Sequence, residues 1–438
     1  MTGNLMSAAS NSAEALVSSL RLSQCMIVKN EEKNIKRALS WARDIAFEQI
    51  VVDTGSTDHT VKIAERMGAK VFHFDWIDDF SAAKNFAIDQ ASGDWIAFLD
   101  ADEYVSGEQA RLIIPIIENN VRHFGNKIFA FHSQLAQVRD DGSVSEIDRQ
   151  HRFFINHPEV RYERPIHETL KFPDGVYALE ENEIVIMHTG YTHSAHADTG
   201  KIARNMALLK KAIESNPEDV ISKYYLADVY YALSNIDEAI PLYREVLNKT
   251  ACNKSAFEWF RMHAFYYLIH LLNNTKVYDE AYALTEQAFH EFPERVNFCY
   301  LYGIVMHVGG RFEAALDAFK KAEKLVADGK IENQKLNNID SLPILLAQTY
   351  VKLDNHTEAR RYAVSYLKSH KQREDAIKLC MHIIRSKENP ENTVNSLSKI
   401  YDFKNVQNKM LLLRCAKDMG DIALAKYLIQ MIAPEELQ

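Results

Sequence analysis

Gly93–Tyr104 reads GDWIAFLDADEY, an unbroken apolar run over Trp95–Leu99 followed at once by Asp100, Asp102 and Glu103. An apolar stretch of strand length without alternation fits a strand buried on both faces, as in a parallel sheet. In open α/β sheets ligands bind beyond the carboxyl ends of the strands, which is where these carboxylates collect. Upstream, Leu22–Val28, Gln49–Asp53 and Lys70–Phe74 read as three further strands, separated by helical stretches near 32–44, 59–67 and 81–91. Such switching of period predicts alternating strands and helices in a mostly parallel sheet covered on both faces. Downstream, Lys127–Leu135 and Glu183–His188 read as strands that complete the sheet and wall an acceptor cleft.

After Thr199 the periodicity becomes almost purely helical and one phrase recurs: a short polar turn, then an acidic residue followed by Ala. It stands at Asn235–Ala239, Val277–Ala281, Gly310–Ala314 and Asn355–Ala359, with a weaker copy at Gly420–Ala425. The final alanines are 42, 33, 45 and 66 residues apart, the last being twice 33. These intervals approach the period of about 34 of tetratricopeptide repeats, with insertions near 249–260 and 326–338. The small Ala lets paired helices approach closely, while Tyr225, Tyr231, Tyr243, Tyr302 and Phe319 fill the space between them. The organisation read from the chain is a tail over 1–20, an α/β domain over 21–199 and a helical repeat domain over 200–438.

The 438 residues suffice for two to three domains at about 150 each. With 47% hydrophobic and 25% charged residues the chain can bury its own cores, which excludes a disordered or collagenous protein. A net charge of −9 argues against broad attraction to nucleic acid or anionic lipid. Five widely spaced cysteines without a CxxC pair indicate neither a disulfide framework nor structural zinc, and fit a reducing cytoplasm. Residues 1–20 lack a basic leader and a sustained apolar core, so they read as a tail and not as a signal peptide. No uncharged apolar run reaches membrane-spanning length.

No GxGxxG follows the first strand and no GxxxxGK[ST] occurs, so neither a dinucleotide site nor a P-loop is expected. Polar groups cluster instead at three strand ends: Lys29, Asn30 and Glu31; Asp53–Asp58; and Asp100–Asp102. Hard oxygen ligands such as Asp100 and Asp102 suit Mg²⁺ or Mn²⁺ bridging a diphosphate, although such triplets also cap helices. Asp53 can accept from a base N–H, while Ser56 or Thr57 is a candidate cap for the next helix. Ser81 is the candidate cap of the helix carrying Lys84. A cation in that first turn opposes the helix dipole unless a phosphate faces it. His167–Glu168 and His188 complete the candidates.

In this order, KNEE after the first strand, VVDTGSTDHT, DWIDDFSAAKNFA and GDWIAFLDADEY resemble family 2 glycosyltransferases of the GT-A fold. Arg152-Phe-Phe154, Ile166-His-Glu168, His188-Thr-Gly-Tyr191 and the repeat tail are similar to the sublancin-type peptide S-glycosyltransferases. The resemblance implies an inverting hexosyltransferase using a nucleotide sugar, UDP-linked, with Lys29, Asn30, Glu31 and Asp53 around the base. It further places Lys84 near base or phosphates, Asp100 at ribose and metal, Asp102 on the metal, and His188 as a further metal or diphosphate ligand, the metal being Mn²⁺ or Mg²⁺. Glu168 would be the base that deprotonates the acceptor, with His167 second; a pKa raised by the acidic surroundings would help it. Relatives tend to carry Arg where Lys84 stands, and Gly where Arg164 stands. The repeat array implies a peptide or protein acceptor, since curved repeat faces hold peptides. It could instead build a homodimer, leaving a glycan or small-molecule acceptor, or belong to an interaction scaffold with a silent sugar-nucleotide domain.

Overall fold

The computed structural model describes residues 20–189, 199–330, 339–385 and 388–432. The tail expected over 1–20, apart from Leu20, lies outside these residues, as do Gly190 and Tyr191 and most of the expected insertion at 326–338. The chain divides into two compact units, Met1–Ser222 and Lys223–Gln438.

The first unit holds strands β1 (Leu22–Val28), β2 (Glu48–Asp53), β3 (Lys70–His73), β4 (Trp95–Phe98), β5 (Glu103–Val105), β6 (Ile128–Val138), β7 (Val144–Ile155), β8 (Arg161–Glu163), β9 (Thr169–Lys171) and β10 (Tyr177–His188). Its helices are α1 (Ile35–Ser40), α2 (Thr60–Arg66), α3 (Phe80–Asp89), α4 (Gly107–Ala110), α5 (Ile113–Phe124) and α6 (Thr199–Ser215). Eight strands form one sheet in the order β3-β2-β1-β4-β7-β6-β10-β5, and β8 pairs with β9 apart from it. The strands expected from apolar runs all form.

The four strands between Leu22 and Asp102 pair in parallel, as expected there, and the sheet as a whole is mixed. β3, β2, β1 and β4 run parallel, but β7 joins β4 antiparallel because β6 and β7 are a hairpin closed by Arg139–Ser143. Both faces are covered. Trp95, Ala97 and Leu99 enter one core with Phe131 and Phe153, while Ile96 and Phe98 enter the other with Phe154 and Tyr162. The period of two along β4 thus serves two cores at once. Gly93 is required at its start, because a Cβ there would lie 2.5 Å from Ser23 Oγ and 2.7 Å from the Arg21 carbonyl.

Helix α7 (Val220–Ala232) spans the division between the units, and the second unit continues with α8 (Ile236–Lys249), α9 (Glu258–Asn274), α10 (Tyr278–Glu291), α11 (Val296–Val308), α12 (Phe312–Ala327), α13 (Leu342–Lys352), α14 (His356–Ser369), α15 (Glu374–Arg385), α16 (Pro390–Leu397), α17 (Val406–Asp418) and α18 (Ile422–Gln430). Each repeated phrase marks a turn between two of these helices. Ser234, Lys276, Gly310, Asp354 and Gly420 all have φ between 59° and 73°. The amide after each donates to the carbonyl five residues before it, as in Asn235 N–H to Tyr230 O at 2.8 Å and Arg311 N–H to Met306 O at 2.9 Å. This is the left-handed cap that closes a helix by satisfying its last carbonyls. It also corrects the register of the third copy. The small residue at the fourth helix position is Ala239, Ala281, Ala315 and Ala359, all fully buried, so Ala315 and not Ala314 is the equivalent residue.

Candidate active site

Three loops at the carboxyl ends of β1, β2 and β4 come together, and hydrogen bonds fix two of them to each other. Asn30, at φ 59°, accepts the Thr57 N–H on its Oδ1 at 2.8 Å, while its own N–H donates to Ser56 Oγ at 2.9 Å. Glu31 N–H donates to Thr60 Oγ1 at 2.7 Å. The buried Asp53 carboxylate accepts from Ser56 N–H at 3.0 Å and Gly55 N–H at 3.2 Å, Gly55 sitting at φ 102° where a side chain would be strained. Ser56 and Thr57 therefore join loops and do not cap α2, whose first-turn amide at Thr60 is met by Asp58 Oδ1 at 2.9 Å. Lys29 and Asn30 are exposed beside this loop. Burial raises the Glu31 pKa, the Asn34 amide lowers it, and the charges of Asp102 and Asp100 add to the raise, so all three carboxylates share one field.

α3 carries the next part. Its cap is Asp79, whose Oδ1 accepts Ala82 N–H at 2.9 Å, and not Ser81. Ser81, Lys84 and Asn85 share one helix face by their spacing of three and four, and all three hold the segment 162–168. Ser81 Oγ donates to the Arg164 carbonyl, Asn85 exchanges two hydrogen bonds with the Tyr162 backbone at 2.8 and 2.9 Å, and Lys84 Nζ pairs with Glu168 Oε1. Lys84 is buried, lies 3.7 Å from Asp100 Oδ1, and sits 5.0 Å from the Tyr162 ring centroid. Burial would lower its pKa, but Asp100 and Glu168 outweigh that and raise it.

A second cation completes the cluster. Between Phe131↔Phe153 and His132↔His151 the β6–β7 register shifts, leaving Arg152 as the extra residue of a β-bulge. Bulges re-aim side chains; this one directs Arg152 Nη2 to Asp100 Oδ2 at 2.9 Å and to Glu103 Oε1, while its Nε has no hydrogen-bond partner among the described residues. Glu103 Oε2 in turn accepts the Asp100 N–H at 3.0 Å. Burial raises the Asp100 pKa, yet Lys84 and then Arg152 pull it well below the usual carboxylate range. Glu103 is held above that range by burial despite Arg152, with Asp100 adding to the raise.

Glu168 behaves oppositely to expectation. Burial raises its pKa, but the charge and hydrogen bond of Lys84 more than cancel this, and the net shift is downward. Burial lowers the neighbouring His167 to about 4, so its imidazole is neutral near pH 7. Their loop is bent at two left-handed residues, Arg164 at φ 86° and His167 at φ 51°. The φ of 86° at Arg164 is a conformation that Gly adopts freely and a side chain rarely does. Its guanidinium compensates by holding Asp219 at 2.8 and 3.0 Å and Ser222 Oγ at 2.9 Å.

Asp102 and His188 form a separate pair. β10 meets β5 with His188 opposite Glu103, bringing His188 Nε2 to 3.3 Å from Asp102 Oδ2. His188 Nδ1 donates to Gln137 Oε1 at 2.7 Å, which leaves Nε2 facing Asp102. Burial lowers the His188 pKa, but the hydrogen bond and charge of Asp102 raise it on balance. Among the described residues no group of three or more His, Cys, Asp or Glu side chains is gathered to hold a metal ion. Asp100, expected as a metal ligand, is turned to Lys84 and Arg152. Asp102 and His188 offer one oxygen and one nitrogen donor, a pair whose imidazole suits Mn²⁺ better than Mg²⁺.

The structure thus joins Lys84, Asp100 and Glu168 in one network, Asp102 and His188 in a second, and Asn30 with the Asp53 loop in a third. Sequence reasoning assigned no role to Arg152, Glu103 or Asn85. The signal for Arg152 was an arginine directly before two core phenylalanines, and for Asn85 its spacing from Ser81.

Residues 23–161 match the glycosyl transferase family 2 model and 194–256 a tetratricopeptide repeat model. The chain therefore carries a family 2 glycosyltransferase domain with a GT-A-like mixed sheet, followed by tetratricopeptide repeats. Among curated relatives it is 35% identical over 211 residues to a TPR repeat-containing protein of Synechococcus elongatus, covering 45% of this chain and 49% of that protein. It is 28% identical over 228 residues to the SPbeta prophage-derived glycosyltransferase SunS of Bacillus subtilis, covering 51% and 52%. An uncharacterized glycosyltransferase of Rickettsia felis is 39% identical over 114 residues, 26% of this chain and 36% of its own. The chain spans about half the length of the first two. Among solved structures, YrrB, a TPR protein with an unusual peptide-binding site, is 18% identical and covers 51% of this chain and 97% of its own, with a TM-score of 0.37.

Proposed function

We propose that the protein is an inverting glycosyltransferase that moves a hexosyl group from a nucleotide sugar, UDP-linked, to a peptide or protein acceptor. The observation that carries this reading is the buried Glu168–Lys84–Asp100–Arg152–Glu103 network, beside the Asp102–His188 pair, at the carboxyl end of β4. The loop of Lys29, Asn30, Glu31 and Asp53 would receive the base, and Asp100 the ribose. Asp102 and His188 would hold a divalent cation, which when bound offsets the charge of the diphosphate.

The reaction needs a proton acceptor on the side of the sugar opposite the diphosphate. With its pKa lowered by Lys84, Glu168 is a carboxylate at neutral pH and is ready to take that proton. An acceptor O–H or S–H gives its proton to Glu168 as its heteroatom bonds the anomeric carbon. The bond from that carbon to the diphosphate oxygen breaks, and the electron pair leaves with the nucleoside diphosphate. Lys84 orients Glu168 and keeps it ionised until the proton arrives. His167, neutral and adjacent, is the secondary acceptor of that proton.

No helix among the described residues is long and apolar enough to cross a membrane. A cytoplasmic place of action and 200–438 as the acceptor-holding domain are parts of the same reading. The test is mass spectrometry of a diverse peptide pool incubated with the protein, a mixture of UDP-hexoses and Mn²⁺. Peptides that gain one hexosyl unit support the reading. Modification of added glycans with no change in any peptide would overturn the peptide acceptor.

A further inference from the structure

The second unit contains a carboxylate, Asp228, that forms no ion pair among the described residues. Tyr224, Asp228 and Tyr231 lie on one face of α7 by their spacing of four and three. Tyr243 of α8 and Tyr267 of α9 close on the same place: the Tyr231 and Tyr267 rings are 4.8 Å apart, Tyr243 and Tyr267 stack at 5.9 Å, and Tyr224 meets Tyr243 edge-on at 6.0 Å. Asp228 receives one long hydrogen bond, from Tyr243 Oη at 3.5 Å. No Lys, Arg or His ion pair to it is found among the described residues. Lys223, next to Tyr224 in the chain, pairs with Glu245, Arg244, next to Tyr243, pairs with Glu280, and His270 Nδ1 meets the Tyr231 hydroxyl at 3.3 Å.

Asp228 is half-buried, and a carboxylate drawn partly out of water is stabilised when a cation reaches it. Burial raises the Asp228 pKa against the pull of Tyr243. All four phenols are pushed up by burial first and then by the Asp228 charge, which places them within its field. Tyr231 remains partly exposed, so the place is open to solvent on that side, and the half-exposed Trp259 packs against Tyr224 at 5.5 Å. Phenol oxygens accept hydrogen bonds, aromatic rings attract cations, and a carboxylate supplies the countercharge.

We propose that Asp228, with Tyr224, Tyr231, Tyr243 and Tyr267 around it, binds the cationic side chain of a lysine or arginine carried by a polypeptide. The carboxylate takes the ammonium or guanidinium head, and the partly exposed rings of Tyr231 and Tyr267 cover the methylene stem, with Tyr224 and Tyr243 buried behind them. A glutamate or aspartate is repelled at this position, and an uncharged isostere leaves the carboxylate unanswered. The site thus selects by charge which residue of a bound polypeptide faces α7.

The test needs no nucleotide sugar, so its result is independent of glycosyl transfer. The full-length protein is titrated with blocked nonapeptides of Gly, Ala and Ser that differ only in the central residue: Arg, Lys, citrulline, norleucine or Glu. Binding is followed by saturation-transfer NMR, with ethylguanidinium as a free-cation control. The Arg and Lys peptides should bind roughly tenfold or more tightly than the citrulline peptide, and Asp228→Asn should erase that difference while leaving the circular dichroism spectrum unchanged. Tyr231→Phe, which keeps the ring, should weaken Arg binding less than Asp228→Asn. Equal binding of the Arg and citrulline peptides, an unaltered preference in Asp228→Asn, or no peptide binding at all would overturn the proposal. Ethylguanidinium binding as tightly as the Arg peptide would overturn a polypeptide-borne occupant.

Discussion

Arg152→Met is the perturbation that separates a functional charge network from ordinary packing. The Arg152 side chain is 11% exposed and its partner Glu103 only 1%, so removing the guanidinium leaves a carboxylate inside the protein without its cation. Breaking a buried pair from one side costs roughly 3–5 kcal/mol. For a unit of this size that corresponds to a fall in Tm of roughly 6–20 °C. Met preserves much of the volume, so a cavity contributes little. Glu103→Gln in the same background removes the orphaned charge and should restore at least ~2 kcal/mol, a coupling of the size expected for residues in one network. Urea unfolding followed by tryptophan fluorescence in a Trp259→Phe background reads the first unit alone, because Trp41, Trp76 and Trp95 all lie there. A loss below about 1 kcal/mol for Arg152→Met, or no recovery on adding Glu103→Gln, would refute the buried-network argument.

Three further outcomes are expected. Lys84→Met removes the charge that lowers Glu168, so the Glu168 pKa rises, and the acid limb of the pH–kcat/KM profile should move to higher pH; an unmoved limb would exclude Glu168 as the base. Lys276→Gly relieves a left-handed lysine at φ 63° and should raise the stability of the second unit by about 1 kcal/mol, read by urea denaturation, whereas Gly310→Ala should lower it by a similar amount. Burial raises the Glu48 pKa, but Lys70 and the Ser92 and Ser23 hydrogen bonds bring it down from 4.5 to about 2. Its folded pKa lies below its unfolded one, so its contribution is full above pH 4.5 and is lost as pH falls towards 2. Glu48→Gln should flatten the fall in stability over that window, as measured by urea midpoints.

The strands were legible because both faces of β1 and β4 are buried, which turns each into an uninterrupted apolar run. The repeats were legible from their alanines, but the third copy slipped by one residue. GRFEAA offers two consecutive alanines, and only the left-handed turn at Gly310 shows that Ala315 is the buried one. The caps were misplaced for a similar reason: DDFS and STDHT each contain several capping residues, and the choice depends on chain direction, not on composition. Within the site, Lys84, Asp100 and Glu168 were visible as candidates, but their mutual pairing was not, because 84 residues of chain separate Lys84 from Glu168. The downward shift of Glu168 follows from that pairing and was read with the wrong sign without it. Arg152 was hidden by its bulge: strict alternation does not foretell that a strand residue beside Phe153 turns into the polar cluster.

The central claim is glycosyl transfer from a nucleotide sugar at the end of β4. Its most direct test is nucleotide release from a panel of UDP- and GDP-sugars with Mn²⁺, comparing the native protein with Asp102→Ala. The account predicts slow release from one UDP-sugar that disappears in Asp102→Ala. No release from any donor, together with no calorimetric binding of UDP, would contradict it and leave a repeat scaffold with a silent sugar-nucleotide domain.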